Sequence, residues 1–291
     1  MRALLVEAFS SAPLGGNGAG VVLLEQPASA SWMQQIAASL KQSETAFLWR
    51  NPTGQWLLRW FTPSCEVPLC GHATLAATLA LARWCLLEPG QLMPFASRSG
   101  ALTVGLVEAH PGAACLTLPS EPLQAMATPG TLAAALGCQP EGYWGSQLGY
   151  RVALVPAAFN LEQLDNPSEQ LSGQDRQGLV VMQALSPQSD VIVLGERGDY
   201  QLRFFAPGLG LAEDPVTGSA HALVAPWWAQ QLGRSRVIGW QPSPRSGGML
   251  CEVLSPKAVR LTGTGHCLWD GTLDAGFYGD DPSGWEVCRL D

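Results

Sequence analysis

The chain has 291 residues, 47% of them hydrophobic and 14% charged, with a formal net charge of −8 at pH 7. That length and composition suffice for a sizeable core and for two domains of ordinary size. Only 16 basic residues occur and they form no cluster, so there is no electrostatic footprint for nucleic acid, and no apolar run reaches the ~20 residues that span a bilayer.

In chain order, the pattern predicts a strand over 3–9, a glycine-rich hairpin turn centred on Asn17-Gly18 and a strand over 19–24. A helix over about 30–40 and strands near 44–50 and 55–62 follow. An acidic loop then leads to a helix over 72–86 and to strands over 100–107 and 113–118. Pro119, Pro122 and Pro129 mark 119–130 as a linker. Beyond it come a helix near 131–137, strands near 150–155, 178–184, 190–195 and 200–206, a second acidic loop, a helix over 219–232 and strands to about 264. This is an α+β chain of two pseudo-symmetric lobes, 1–120 and 121–274, each a curved, mostly antiparallel sheet wrapped around a central helix. Residues 275–291 are expected to return to the first lobe.

The two lobes share a repeated motif. Arg59-Trp60-Phe61-Thr62-Pro63 with Glu66-Val67-Pro68-Leu69-Cys70-Gly71-His72-Ala73 is echoed by Arg203-Phe204-Phe205-Ala206-Pro207 with Glu213-Asp214-Pro215-Val216-Thr217-Gly218-Ser219-Ala220. The arginines lie 144 positions apart and the glycines 147, so one three-residue insertion reconciles the copies. In both, Pro-x-x-Gly opens a helical stretch. Gly71 and Gly218 therefore stand where unpaired backbone N–H groups and the positive end of the helix dipole favour a carboxylate or an enolate oxygen. A glycine there also serves a tight turn. Two such ends predict an active site in a cleft between the lobes, binding a small carboxylate.

No cofactor motif appears. Gly15-Gly16-Asn17-Gly18-Ala19-Gly20 lacks the dinucleotide order and leads into a strand, there is no Walker sequence, and no lysine has the context of a Schiff base. The eight cysteines include no C-x-x-C pair, and the four histidines have no metal-ligand spacing. Any chemistry is then expected from side chains alone. The N-terminus shows no signal-peptide layout, with an acid at Glu7, and the cytoplasm is the expected compartment.

A cofactor-free site with helix ends suits proton transfer beside a carboxylate, which needs a base. Glu44, entering an apolar strand, is the candidate, with burial expected to raise its pKa toward working pH; the alternative is a solvated acid at a strand end, or a partner for Lys41 or Arg59. Asp214 and Glu213 precede the second helix, either to meet a cationic or hydroxyl group of a ligand, or to carry a proton, or to complement the helix dipole. Ser219 is an N-cap or a ligand donor. His72, its counterpart, is expected to be neutral and bonded to a ligand or to Asp214.

These segments, with Glu7-Ala8-Phe9, Ser43-Glu44-Thr45-Ala46-Phe47, Cys70-Gly71-His72-Ala73-Thr74 and Arg245-Ser246-Gly247-Gly248, resemble the PhzF family of phenazine biosynthesis, of the diaminopimelate-epimerase-like fold. The resemblance implies a cofactor-independent isomerase, usually a homodimer, in which one glutamate shuttles a proton between ring carbons of trans-2,3-dihydro-3-hydroxyanthranilate. That glutamate matches Glu44. The remaining site residues fall on His72, Asp214 and Ser219, with Gly71 and Gly218 as backbone donors. Two departures stand out: Pro68 replaces a frequent Asp, and Gly18-Ala19-Gly20 replaces a more usual Pro-Ala-Ala.

A two-base epimerase on the same fold would carry a cysteine before each helix-start glycine. Those positions hold Cys70 and Thr217, and a threonine hydroxyl is too weak an acid to reprotonate a carbanion. Cys70 is then expected to be a packing residue. A third reading, a catalytically idle binder of small carboxylates, runs against retention of Glu44, His72, Asp214 and Ser219.

Overall fold

The structure, a computed structural model, describes residues 1–276 and 280–290. Its elements run β1 (Arg2–Ala8), β2 (Asn17–Leu24), α1 (Ala30–Leu40), β3 (Glu44–Arg50), β4 (Trp56–Phe61), β5 (Glu66–Val67), α2 (Gly71–Arg83), β6 (Leu92–Ser97), β7 (Gly100–Leu106) and β8 (Ala113–Pro119). They continue as β9 (Gln124–Ala125), α3 (Gly130–Leu136), β10 (Gly142–Gly145), β11 (Arg151–Leu154), β12 (Leu179–Ala184), β13 (Ile192–Val193), β14 (Glu196–Arg197), β15 (Tyr200–Ala206), β16 (Leu211–Asp214), α4 (Gly218–Leu232), β17 (Arg236–Gln241), β18 (Gly247–Ser255) and β19 (Ala258–Thr272). The chain divides into two compact units, residues 1–117 with 262–291, and residues 118–261.

The duplication extends from sequence to strand pairing. In the first unit β2 runs parallel to β3, β3 antiparallel to β4, β4 antiparallel to β5 and parallel to β6, and β6 antiparallel to β7. The second unit repeats the series with β11, β12, β15, β16, β17 and β18 in the same order and senses. Each set serves one central helix. Residues 71–78 of α2 are all buried, as are most of 218–229 in α4. Helices so enclosed are apolar around most of their circumference, which accounts for their Ala- and Leu-rich composition. The α4 helix contains Pro226, which supplies no N–H to the Ala222 carbonyl one turn earlier. Ser120 Oγ donates to that carbonyl at 2.8 Å instead.

The first unit's core joins Phe47 and Phe61, edge to face at 5.6 Å, with Trp49, Met33 and Trp285. Trp285 brings the C-terminal segment into this core, donating from Nε1 to the Ala28 carbonyl at 3.0 Å. The second unit's core gathers Leu132, Leu136, Tyr143, Leu179, Val181 and Phe205.

Several elements depart from the pattern-based expectations. The β1–β2 hairpin forms, but Asn17 and Gly18 already lie in β2, opposite Ala8 and Glu7. The connection spans residues 9–16 and turns with positive φ at Phe9, Leu14 and Gly16, and the Glu7 carboxylate ties it down by accepting from Leu14 N at 2.6 Å. The strand expected over 190–195 is a hairpin of two-residue strands that turns at Leu194 and Gly195, both with positive φ. The 119–130 stretch carries β9. Strand β6 was masked by Pro94, a residue that usually argues against a strand interior. Residues 262–274, placed by the pattern in the second lobe, belong to the first unit, because β19 continues to Thr272 and pairs with β1. No helix among the described residues is long and apolar enough to cross a membrane.

Candidate active site

The acidic loop before each central helix is clamped the same way. Arg59 grips Glu66 through Nε and Nη2 at 2.8 and 2.9 Å, and Arg203 grips Glu213 through the same two atoms at 2.7 Å each. Each guanidinium also lies over the phenylalanine two residues on, Phe61 at 5.4 Å and Phe205 at 5.1 Å. A second tie is duplicated as well. Ser99 Oγ donates to the Pro68 carbonyl at 2.8 Å and Ser243 Oγ to the Pro215 carbonyl at 2.5 Å. Buried forks of this kind fix a loop, because two charge-assisted bonds set both position and orientation.

These clamps deliver Gly71 and Gly218 as the first residues of α2 and α4. The N-cap positions are Cys70 and Thr217, and neither caps its helix with a side-chain hydrogen bond. Ser219 is therefore not the N-cap; it sits inside the first turn, with Oγ 3.3 Å from the Tyr150 hydroxyl. The helix starts thus keep their leading N–H groups available for an anion.

Around the first helix start the structure gathers Glu44, His72, Cys70, Ser43 and Asn17. His72 Nε2 stands 3.1 Å from Glu44 Oε2 and 3.1 Å from Ser43 Oγ, while Nδ1 is 3.2 Å from the Asn17 amide and 3.5 Å from Cys70 Sγ. Ser43 Oγ is also within bonding distance of Asn17 Oδ1, at 2.9 Å, and of the Gly18 carbonyl. Glu44, Cys70 and His72 are all buried.

This geometry corrects two expectations. Burial alone would raise the Glu44 pKa, but the charge and hydrogen bond of His72, with Ser43 and Cys70, leave the carboxyl below its ordinary value. Burial pulls the His72 imidazole down, yet Cys70 and Glu44 against the ring carry it well above its ordinary value. Burial and the neighbouring Glu44 charge push the Cys70 thiol up, and the Glu44 carboxylate stands directly against the imidazole at 3.1 Å. His72 is thus paired with the candidate base, where a neutral ring was expected. Cys70, expected to serve packing, faces both.

In the second unit the Asp214 carboxylate, for which a ligand group was one expected partner, is engaged by a side chain of the same loop. Thr217 Oγ1 donates to Asp214 Oδ2 at 2.5 Å. Gln241, fully buried at the end of β17, accepts from Thr217 N at 2.9 Å and donates to the Asp214 carbonyl at 2.5 Å. Deeper along α4, His221 Nδ1 is 2.9 Å from the Tyr200 hydroxyl, and burial lowers its pKa to about 3.

Strand register shows where the two units part. Thr45 pairs with Phe61 and Leu179 with Phe205, which makes Gly178 the counterpart of Glu44. A Cβ on Gly178 would meet the Tyr150 ring at 2.6 Å and Phe204 at 3.1 Å. The second unit therefore has no room for a carboxylate at that position.

The sequence pattern points to Glu44, His72, Gly71, Asp214, Gly218 and Ser219. It does not show the roles of Asn17 and Ser43, although both lie in the quoted segments. Gln241 gave no local signal, whereas Ser99 and Ser243, 144 positions apart like the two arginines, were accessible to a longer comparison of the halves.

The family model of PhzC-PhzF, phenazine biosynthesis-like protein, matches residues 6–141 and 149–271. The chain belongs to the phenazine biosynthesis-like PhzC-PhzF family. It is 38% identical over 265 residues to an uncharacterized isomerase of Pseudomonas aeruginosa, a match covering 90% of this chain and 94% of that protein. A crystal structure of a putative phenazine biosynthesis PhzC/PhzF protein from Clostridium difficile superposes with a TM-score of 0.81 at 29% identity, covering 94% of this chain and 99% of the other. A probable proline racemase of Agrobacterium radiobacter shares the α+β fold, with a TM-score of 0.59 at 12% identity, over 94% of this chain and 93% of its own.

Proposed function

We propose that the chain is a cofactor-independent isomerase that moves a proton between carbons of a small, carboxylate-bearing substrate, with Glu44 as the single base. The observation that carries this reading is the asymmetry of the duplicated halves. Glu44 in the first unit is replaced by Gly178, where no side chain fits, and Cys70 by Thr217, whose hydroxyl is committed to Asp214. On this reading one carboxylate, Glu44, both removes and returns the proton.

The ion pair with His72 suits both steps. It holds Glu44 as a carboxylate, ready to accept a proton, and it makes the protonated acid a willing donor to the next carbon. The Gly71 N–H at the start of α2 stabilises negative charge growing on the substrate's oxygen. For the second unit, the same reading assigns Asp214, Gly218 and Ser219 to substrate binding, with Asp214 also a polar aid to catalysis. The name of the Pseudomonas aeruginosa relative, an uncharacterized isomerase, supports the reaction class. A homodimer remains part of the proposal, to be checked by light scattering.

Two-base inversion, as in a racemase, is the competing chemistry, but only half of its thiol pair is present. Incubation in D₂O with trans-2,3-dihydro-3-hydroxyanthranilate and a panel of small amino and hydroxy acids, followed by NMR, tests the reading. Deuterium should enter at carbon with the wild type, and Glu44→Gln should slow this by about 10²- to 10⁴-fold. Exchange that is unaffected by the substitution would remove Glu44 as the base.

A further inference from the structure

The three side chains at the start of α2 also have the spacing of a metal site. A carboxylate oxygen of Glu44, Sγ of Cys70 and an imidazole nitrogen of His72 all lie within 4.8 Å of one another, and all three residues are buried. His72 Nε2 is 3.1 Å from Glu44 Oε2 and 4.0 Å from Cys70 Sγ. Around a tetrahedral zinc ion, with bonds of ~2.0 Å to nitrogen and oxygen and ~2.3 Å to sulfur, neighbouring donors stand roughly 3.2–3.8 Å apart. The observed separations are close to that geometry, and a small approach of Cys70 closes it.

We propose that Glu44, Cys70 and His72 form an open, three-ligand site for Zn²⁺, and that an ion bound there withdraws Glu44 from proton transfer. Coordination rests on the three donors alone; only its effect on turnover rests on the isomerase reading.

The donor set selects the ion. One thiolate, one imidazole and one carboxylate suit Zn²⁺, whereas Ca²⁺ and Mg²⁺ need a shell of oxygens that these residues do not supply. Three protein ligands leave a fourth tetrahedral position for water or for a ligand carboxylate. Binding sends the thiol proton and the imidazolium proton to solvent, and the ion then neutralises the two negative charges left in the buried site. The surroundings also fit. Asn17 stands 3.2 Å from Nδ1, where its amide oxygen, once turned inward, accepts the Nδ1 proton and leaves Nε2 for the metal, and Ser43 Oγ lies 2.9 Å from the same amide. Such outer partners hold the ring and set its tautomer.

Cobalt(II) gives a direct readout, because a thiolate ligand produces a sulfur-to-cobalt charge-transfer absorption. Cys65, Cys85 and Cys267 are exposed, so the experiment uses the full chain with all three replaced by serine. One equivalent of Co²⁺ should produce the band and Zn²⁺ should displace it. Adding Cys70→Ser should abolish the band, and Asn17→Ala should weaken Zn²⁺ binding by about 10- to 100-fold. Absence of the band, or a band that survives Cys70→Ser, overturns the proposal. If Cys70→Ser does not fold, Glu44→Gln takes its place. Retention of the band with Co²⁺ affinity at least ~10-fold weaker supports the site, and unchanged affinity overturns it.

Discussion

Acid should destabilise the second unit through His221. This ring is fully buried on α4, with Nδ1 against the Tyr200 hydroxyl, and its folded pKa is lowered to about 3. In the unfolded chain the same imidazole takes up a proton near its ordinary value of ~6.5. Between those two pKa values the unfolded state binds the proton and the folded state does not, so stability falls as the pH drops through this window. It is not changed further by this group below about pH 3. At about pH 4.5 the linkage amounts to roughly 3 kcal/mol relative to neutral pH, as an order of magnitude. Denaturant unfolding at about pH 7 and pH 4.5 measures it, with His221→Gln as the reference because that variant cannot titrate while the remaining groups are shared. The wild type should lose about 3 kcal/mol more than the variant on acidification. Equal losses would show that the imidazole charges in the folded state without penalty, and the account of its burial would fail.

The loop clamps give a second prediction: Arg203→Met strands Glu213 in a largely buried setting and should cost about 3–5 kcal/mol in equilibrium unfolding, whereas Arg59→Met should cost less, because Arg98 still reaches Glu66 at 3.1 Å. Losses below about 1 kcal/mol, the level of a surface pair, would show that the forks do not fix the loops. Gln241→Leu leaves Thr217 N and the Asp214 carbonyl without their buried partner, and should lower stability by about 2–3 kcal/mol while raising amide exchange at Thr217. Unchanged exchange at that amide would mean that Gln241 is not what secures the second helix start.

The repeat was the most legible feature of the sequence, and for a physical reason. Arg59 with Glu66 and Arg203 with Glu213 form the same fork at spacings of 7 and 10, the three-residue insertion falling in the loop between them, so the paired residue types stay visible in the linear chain. Glycines at two helix starts were readable on the same grounds. The protonation of the site was not, because the pKa of Glu44 depends on His72, a residue from a different element brought to 3.1 Å by the fold. Local context supplied only the burial of Glu44, which acts in the opposite direction to its partner. Gln241 was hidden for a similar reason: its role comes from the parallel pairing of β17 with β15, which places the end of one strand beside the loop that follows another. Gly178 became informative only through register. As a sequence position it is an isolated glycine; against Tyr150 and Phe204 it shows that the second half has no room for a side chain at the position equivalent to Glu44.

The central claim is that one carboxylate handles the proton at both carbons. Its most direct test uses trans-2,3-dihydro-3-hydroxyanthranilate carrying deuterium at the carbon that loses its proton, with the product analysed by NMR and mass spectrometry for wild type, Glu44→Gln and Cys70→Ser. The account predicts that some deuterium reappears at the accepting carbon of the product, that Cys70→Ser retains this transfer within a few-fold of wild type, and that Glu44→Gln loses it. Turnover that delivers only solvent hydrogen, survives Glu44→Gln and fails in Cys70→Ser would contradict the single-base account.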